Sequence, residues 1–155
     1  NIRTYLPGDA REVENCFSEL QSHERSIEDN RVDSRSISSA YVKHLLDECR
    51  KWDGRILVAE QDGTLVGFIC VLAGFDSKDM IEARTKYAFI TDLVVTSNLR
   101  GQGIGLRLLQ EAETFSRLRG SSVILLNVLA GNTSARAFYT KAGFRDLEIK
   151  LIKDL

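Results

Sequence analysis

FITDLVVTSNLRGQGIGLRLL, Phe89 to Leu109, decides how the rest of this chain is read. The apolar run Ile90 to Val95 has the length and composition of a buried strand. Thr96 to Leu99 has no period, and three alternate glycines, Gly101, Gly103 and Gly105, then lead into a helical pattern. Strand, glycine turn and helix make an anion-binding layout. Glycines let the backbone turn tightly and approach a ligand, while the free N–H groups and positive dipole end of the helix face whatever sits there. A phosphate group fits such a place.

Working outward, Ile104, Leu108, Ala112, Phe115 and Leu118 recur at three and four residues, and Gly120 suits the C-terminal cap of that helix. Val123 to Ala130 is a continuous apolar run, as expected of a strand covered on both faces. Asn132 can cap a third helix with Ala135, Phe138, Tyr139 and Ala142 on its inner side, stopped by Gly143. From Phe144 the tail alternates, Leu147, Ile149 and Leu151 against Asp146, Glu148 and Lys150, which predicts a half-exposed final strand.

Upstream, Arg55 to Gln61 and Thr64 to Gly74 flank Asp62-Gly63, the dipeptide that suits a two-residue hairpin turn, so these strands should be antiparallel neighbours. Phe75 to Lys86 is a charged connection. Ile2 to Leu6 is a short strand closed by Pro7-Gly8; Asp9 and Glu12 make an acidic capping box for a helix to about Glu24. Ser26 to Ser36 reads as a loop. Ser38 or Ser39 can cap a helix with Tyr41, Val42, Leu45, Leu46, Cys49 and Trp52 on one stripe. The order β-α-α-β-β-β-α-β-α-β predicts an α/β chain with a mixed, mostly antiparallel sheet flanked by helices on both faces, one domain spanning 1–155.

The 155 residues are 43% hydrophobic, enough for one substantial core, and 21 basic residues nearly balance 22 acidic ones. A net charge of -1 gives no general attraction to nucleic acid or to an anionic membrane, so an anion site must be local. Cys16, Cys49 and Cys70 are far apart without metal-ligand spacing, which predicts reduced thiols, no metal and a cytoplasmic setting. No apolar run approaches the roughly 18 residues of a membrane span.

Of two familiar phosphate signatures, one fails on the glycine stretch and the other is weak. A P-loop needs Lys and then Ser or Thr after its last glycine, where Leu106-Arg107 stand. A dinucleotide fingerprint needs a glycine at Leu106 and an acid about 20 residues on, where Val123 to Leu126 are apolar. What remains is Arg-x-x-Gly-x-Gly, Arg100 to Gly105, with Asp92-Leu93-Val94-Val95 before it and the segment Asn132 to Phe144, NTSARAFYTKAGF, about 30 residues after it. Together these resemble the GNAT superfamily of acetyl-CoA-dependent N-acetyltransferases, over about Arg55 to Phe144.

That resemblance implies a sheet splayed at the central strands, with the pantetheine arm of acetyl-CoA lying in the gap against the backbone of Leu93, Val94 and Val95. Main-chain N–H groups of Gly101, Gln102, Gly103, Ile104 and Gly105 would hold the pyrophosphate, and Arg100 would neutralise its charge. Asn132 would bind the pantetheine region. Tyr139, two helical turns from Asn132 and so on the same face to within about 20°, would bring its hydroxyl to the thioester sulfur. Phe138 and Phe144 read as core.

The expected reaction is direct attack by a primary amine, of a small molecule or a peptide, in a ternary complex. An alkylammonium of pKa about 10.4 costs about 4.6 kcal/mol to neutralise at pH 7, so a base is needed. Many relatives carry a strand glutamate near Thr91 or Tyr87. Neither position is acidic here. Asp92 is the nearest carboxylate and the candidate base, equally readable as structural, with Glu60, Glu24 and His23 in reserve and proton release through a water chain as the alternative. The missing glutamate leaves open a non-catalytic acetyl-CoA or CoA sensor. Acids of the early helices and of the loop before the central strand, Glu24, Glu28, Asp29, Asp33, Asp76, Asp79 and Glu82, read first as a solvated polar face and second as charges that attract a cationic acceptor. The resemblance implies a homodimer, since the final strand and apolar surface of this class often support one.

Overall fold

In the computed structural model residues 1–77 and 83–155 are described. Five strands form one sheet in the order β1 (Ile2–Thr4), β2 (Arg55–Gln61), β3 (Thr64–Asp76), β4 (Lys86–Val95) and β5 (Val123–Leu126). The first four are antiparallel neighbours and β5 runs parallel to β4. Helices α1 (Ala10–Ile27) and α2 (Ser38–Lys51) precede β2; α3 (Ile104–Leu118) and α4 (Thr133–Lys141) flank β5 in sequence.

The sheet divides the core in two. Ile56, Val58, Phe68, Cys70 and Leu72 point to the side of α1 and α2 and pack with Val13, Phe17 and Leu45. Leu57, Ala59, Ile69, Val71 and Ala73 point the other way and pack with Leu108, Leu109, Ala112 and Phe115 of α3. Because a strand alternates faces, a continuous apolar run such as that of β2 or β3 serves both layers, and Phe68 to Val71 are accordingly 0% exposed. The hairpin turn has φ of 52° at Asp62 and 76° at Gly63, the paired left-handed conformation that Asp-Gly accommodates.

Several expectations are corrected. The acidic capping box does not form: Asp9 accepts the Leu6 N–H at 2.7 Å and both terminal nitrogens of Arg3 at 2.7 and 3.0 Å. A bidentate guanidinium outcompetes a helix amide for that carboxylate. No serine side chain caps α2; its N-cap position is Ile37, and Ser38 Oγ instead donates to Ser34 O at 2.6 Å. The supposed loop Ser26 to Ser36 begins inside α1 and ends in a 3-10 turn, Ser34–Ser36. Leu118 closes the α3 pattern by sequence but is exposed. β5 is four residues long and half-buried, with Asn127 and Val128 exposed, rather than an eight-residue covered strand. The final strand expected from Phe144 is absent; Leu147, Ile149 and Leu151 stand in solvent. Alternation gives a chain two faces but supplies no ladder partner.

Candidate active site

β4 and β5 pair over only four positions, the last being Ile90 with Leu126. Beyond it β4 continues through Leu93, Val94 and Val95, still paired on its other side with Ile69, Phe68 and Gly67 of β3. The edge that faced β5 therefore opens at Leu93, and a cavity of about 530 Å³ lies there. Leu93 to Val95 form one wall, the turn Arg100 to Gly101 and the residues Gly103 to Leu106 a second, and Asn132, Phe138 and Tyr139 of the α4 region a third; Leu20 and His23 of α1 close one end.

The second wall is a helix N-terminus. Gly101 and Gly103 both have φ of 78°, and Gly103 is the N-cap of α3. The first intrahelical bond runs from Arg107 N–H to the Gly103 carbonyl at 3.1 Å, which leaves the N–H groups of Ile104, Gly105 and Leu106 without a helical partner. They and the dipole end of a 15-residue helix give the cavity a positive corner built from main-chain groups. Gly105 keeps the passage wide, since a Cβ there would come within 3.5 Å of Phe138 and 3.6 Å of Val95.

Of the residues singled out by sequence, Leu93, Val94, Val95, Arg100, Gly101, Gly103, Ile104, Gly105, Asn132 and Tyr139 all line this one cavity; Gln102 and Asp92 do not. The Arg100 guanidinium turns back onto its own loop, donating from Nε to the Val95 carbonyl at 3.0 Å and meeting Glu19 at 3.4 Å. Asn132 is buried and caps α4, its Oδ1 accepting from Ala135 N–H and Ser134 Oγ, each at 3.2 Å. Phe138 and Phe144 pack against the α3 layer, and both rings sit edge-on to Tyr139, at 5.2 and 5.5 Å.

Asp92 lies behind the cavity, 7% exposed, on the α1–α2 side of β4. Burial pushes its carboxyl up from 3.8 to about 6, although the Tyr41 hydroxyl donates to Oδ2 at 3.0 Å and to Oδ1 at 3.3 Å. Burial, together with the negative charges of Asp92 and Glu24, raises the Tyr139 hydroxyl to about 12. At neutral pH the pair is thus a carboxylate close to its midpoint and a firmly protonated phenol. Environments that drive two neighbouring groups apart in this way are characteristic of acid–base sites.

Tyr41 escaped the sequence reading as a site residue because its apolar stripe on α2 accounts for it equally well; it also stacks on Phe17 with centroids 4.1 Å apart. Leu20 gave no signal beyond helix periodicity, whereas His23, a reserve base by sequence, lines the cavity. Glu60 is tied to Arg3 at 3.0 Å and does not line the cavity. Tyr87 is spent in a stack with Phe75, which in turn stacks on Trp52. Asp33 is held by Arg35 and Arg25, while Glu24 faces Arg31 at 3.6 Å and still acts on Asp92 and Tyr139. Asp79 and Glu82 lie outside the described residues. Among the described residues no cluster of three or more His, Cys, Asp or Glu side chains could hold a metal, and no helix is long and apolar enough to cross a membrane.

Residues 16–144 match the Acetyltransferase (GNAT) family. The chain is 26% identical over 146 residues to the uncharacterized N-acetyltransferase YhfO of Bacillus subtilis, covering 94% of this chain and 90% of that protein. It is 35% identical over 121 residues to an uncharacterized N-acetyltransferase of Archaeoglobus fulgidus, 78% of each. Among solved structures, the aminoglycoside N-acetyltransferase AAC(6')-Iy in complex with CoA superimposes with a TM-score of 0.72 at 14% identity, over 100% of this chain and 98% of the other, a likeness of fold.

Proposed function

The chain belongs to the GNAT acetyltransferase family and is an acyltransferase, and from that premise we propose that it moves the acetyl group of acetyl-CoA to a primary amine by direct attack in a ternary complex. The observation that carries this reading is the coincidence of two features in one cavity: the unpaired edge of β4 from Leu93 to Val95 and the free amides at the start of α3. A pantetheine arm carries amides that can hydrogen-bond to a strand edge, and a pyrophosphate suits a helix N-terminus. A 530 Å³ cleft of mostly apolar lining accommodates the arm while the nucleotide end reaches solvent.

In this reading the amine enters as an ammonium and its first proton reaches Asp92, behind the cavity wall, through intervening water. A carboxyl near 6 is ionised at pH 7 yet basic enough to accept one. The nitrogen lone pair then attacks the thioester carbonyl, whose developing oxyanion is held by a main-chain N–H at Leu93. The N–C bond forms and the C–S bond breaks. The second nitrogen proton passes through the Tyr139 hydroxyl to the departing thiolate, which leaves as a thiol, and Asp92 returns its proton to solvent. The negative charge of Glu24, felt by both groups, favours a cationic acceptor.

The protein should therefore be stabilised by acetyl-CoA and CoA but not by ATP or NAD in a thermal-shift series. A ligand at about 100 times its dissociation constant adds roughly 2.7 kcal/mol. It should also release free thiol from acetyl-CoA when offered a panel of polyamines, aminoglycosides and peptide amines. No binding of either CoA species would sink the site assignment. Tight acetyl-CoA binding with no thiol release from any amine would point to a sensor instead, a reading that the relatives named N-acetyltransferases do not favour.

A further inference from the structure

Two sulfur atoms meet where α2 packs on the sheet. Cys49, in the last turn of α2, and Cys70, in the middle of β3, are 21 residues apart in sequence, and their Sγ atoms stand 3.7 Å from each other. Cys49 is half-buried and open to small solutes, while Cys70 is 0% exposed. The third thiol, Cys16, is buried in the α1 layer, where desolvation pushes it up to about 12 and keeps it inert.

The pair is chemically asymmetric. A hydrogen bond from the Cys70 S–H favours a thiolate at Cys49 and draws that thiol below its ordinary value, against the burial that opposes it. The same bond, with burial added, holds Cys70 well above. A partly open thiolate beside a sheltered, protonated thiol is the arrangement of an attacking and a resolving cysteine.

We propose that Cys49 and Cys70 form a redox pair, which a hydroperoxide joins in a disulfide that clamps α2 to β3 and which a dithiol reductant releases. The Cys49 thiolate attacks one peroxide oxygen; the S–O bond forms as the O–O bond breaks, and the departing oxyanion takes a proton from water. The Cys70 sulfur then attacks the Cys49 sulfenic acid. The S–S bond forms, the S–O bond breaks, and hydroxide leaves with the Cys70 proton as water. With hydrogen peroxide, two thiols lose two electrons and one peroxide becomes two waters.

The clamp also reaches the acetyl-transfer site, a step that rests on the function proposed above. Cys70 lies opposite Asp92 in the β3–β4 ladder, and Tyr41, the donor to Asp92, lies about two turns before Cys49 on α2. The Thr91 hydroxyl is buried without a hydrogen-bond partner among the described residues, and it favours the ionised form of both Cys70 and Asp92. Bringing the sulfurs from contact to bonding distance inside a packed core must shift Cys70 or the end of α2. Either shift alters the surroundings of Asp92.

The test treats the reduced protein with hydrogen peroxide, denatures it in N-ethylmaleimide and measures its mass. Of the three cysteines two should be protected and one alkylated, the mass before alkylation should be lower by two hydrogens, and peptide mapping should join Cys49 to Cys70. Dithiothreitol should restore alkylation of all three. Cys49→Ser should form no internal link, and Cys70→Ala should stop at a Cys49 sulfenic acid that dimedone traps, with circular dichroism reporting the fold of each. In the unsubstituted protein, kcat/KM for the amine at pH 7 should fall several-fold on oxidation and recover with dithiothreitol, while Cys49→Ser should keep its rate in peroxide. A reduced protein that transfers no acetyl group would fail the functional reading alone, because the mass still decides the thiol pair. Three alkylated cysteines after peroxide, a link through Cys16, or an equal loss of rate in Cys49→Ser would overturn the proposal.

Discussion

The Tyr41 hydroxyl on α2 donates to the Asp92 carboxylate on β4 at 3.0 Å, joining residues 51 apart in sequence. That bond holds the buried acid toward its ionised form while desolvation pulls it toward the neutral one, and the balance lies at about 6. Activity should therefore rise with pH through about 6 in kcat/KM for the amine, and Asp92→Asn should abolish the limb along with most of the rate.

Stability should move the opposite way. The folded carboxyl holds its proton up to about 6 while the unfolded chain releases it near 3.8, so the contribution of Asp92 is fully present below 3.8 and is lost as pH rises through 6. The gap corresponds to about 3 kcal/mol. Asp92→Asn should raise Tm at pH 7.5 and leave it nearly unchanged at pH 3.5. Equal effects at the two pH values would show that ionisation at this position carries no stability cost.

Tyr41→Phe removes the donor but keeps the ring on Phe17. Asp92 should then titrate higher, and the acid limb of the rate profile should shift upward by a measurable fraction of a pH unit or more. Losing a hydrogen bond to a charged group should cost about 1.5 to 3 kcal/mol at pH 8 and much less at pH 4, where the acid is protonated. A limb that stays at 6 would mean that the Tyr41 bond has no hold on this carboxyl.

The separation of β4 from β5, which makes the cleft, is invisible in composition. Ile90 to Val95 reads as one continuous strand, and only the ladder shows that its pairing with β5 stops at Ile90. The glycine turn was legible because left-handed φ at Gly101 and Gly103 calls for that residue type. The hairpin was legible for the same reason. The fate of Asp9, Arg100 and Glu60 was not: each is a charged residue whose partner, Arg3, Glu19 or again Arg3, is set by tertiary approach rather than by spacing. Tyr41 shows the same limit, since a tyrosine on an apolar stripe gives no sign that its hydroxyl ends on a carboxylate of the sheet. The tail misled because alternation predicts a strand whether or not the chain itself supplies a partner.

Tyr139→Phe tests the acid directly. Its ring contacts with Phe138 and Phe144 remain, so acetyl-CoA binding should be little changed. kcat should fall by a factor on the order of 100, the lower range for loss of a general acid. A variant with unchanged kcat would leave the thiolate to depart unaided and remove Tyr139 from the mechanism.

Gly67 offers a way to move the cleft from outside it. It lies opposite Val95 in the β3–β4 ladder, and a Cβ there would sit 2.5 Å from the Val94 carbonyl oxygen, a distance at which the backbone of β4 must give way. Gly67→Ala should therefore cost about 1 to 3 kcal/mol of stability, as overpacking does, and should weaken acetyl-CoA binding, because the displaced strand is the wall formed by Leu93 to Val95. Gly105→Ala is the contrast: its Cβ meets nothing nearer than 3.5 Å and its φ is not left-handed, so stability should hold while the narrowed passage weakens acetyl-CoA alone. Parallel urea melts and calorimetric titrations would separate the two. If Gly67→Ala loses stability yet binds acetyl-CoA as tightly as the unsubstituted chain, the backbone of β4 is not what holds the ligand.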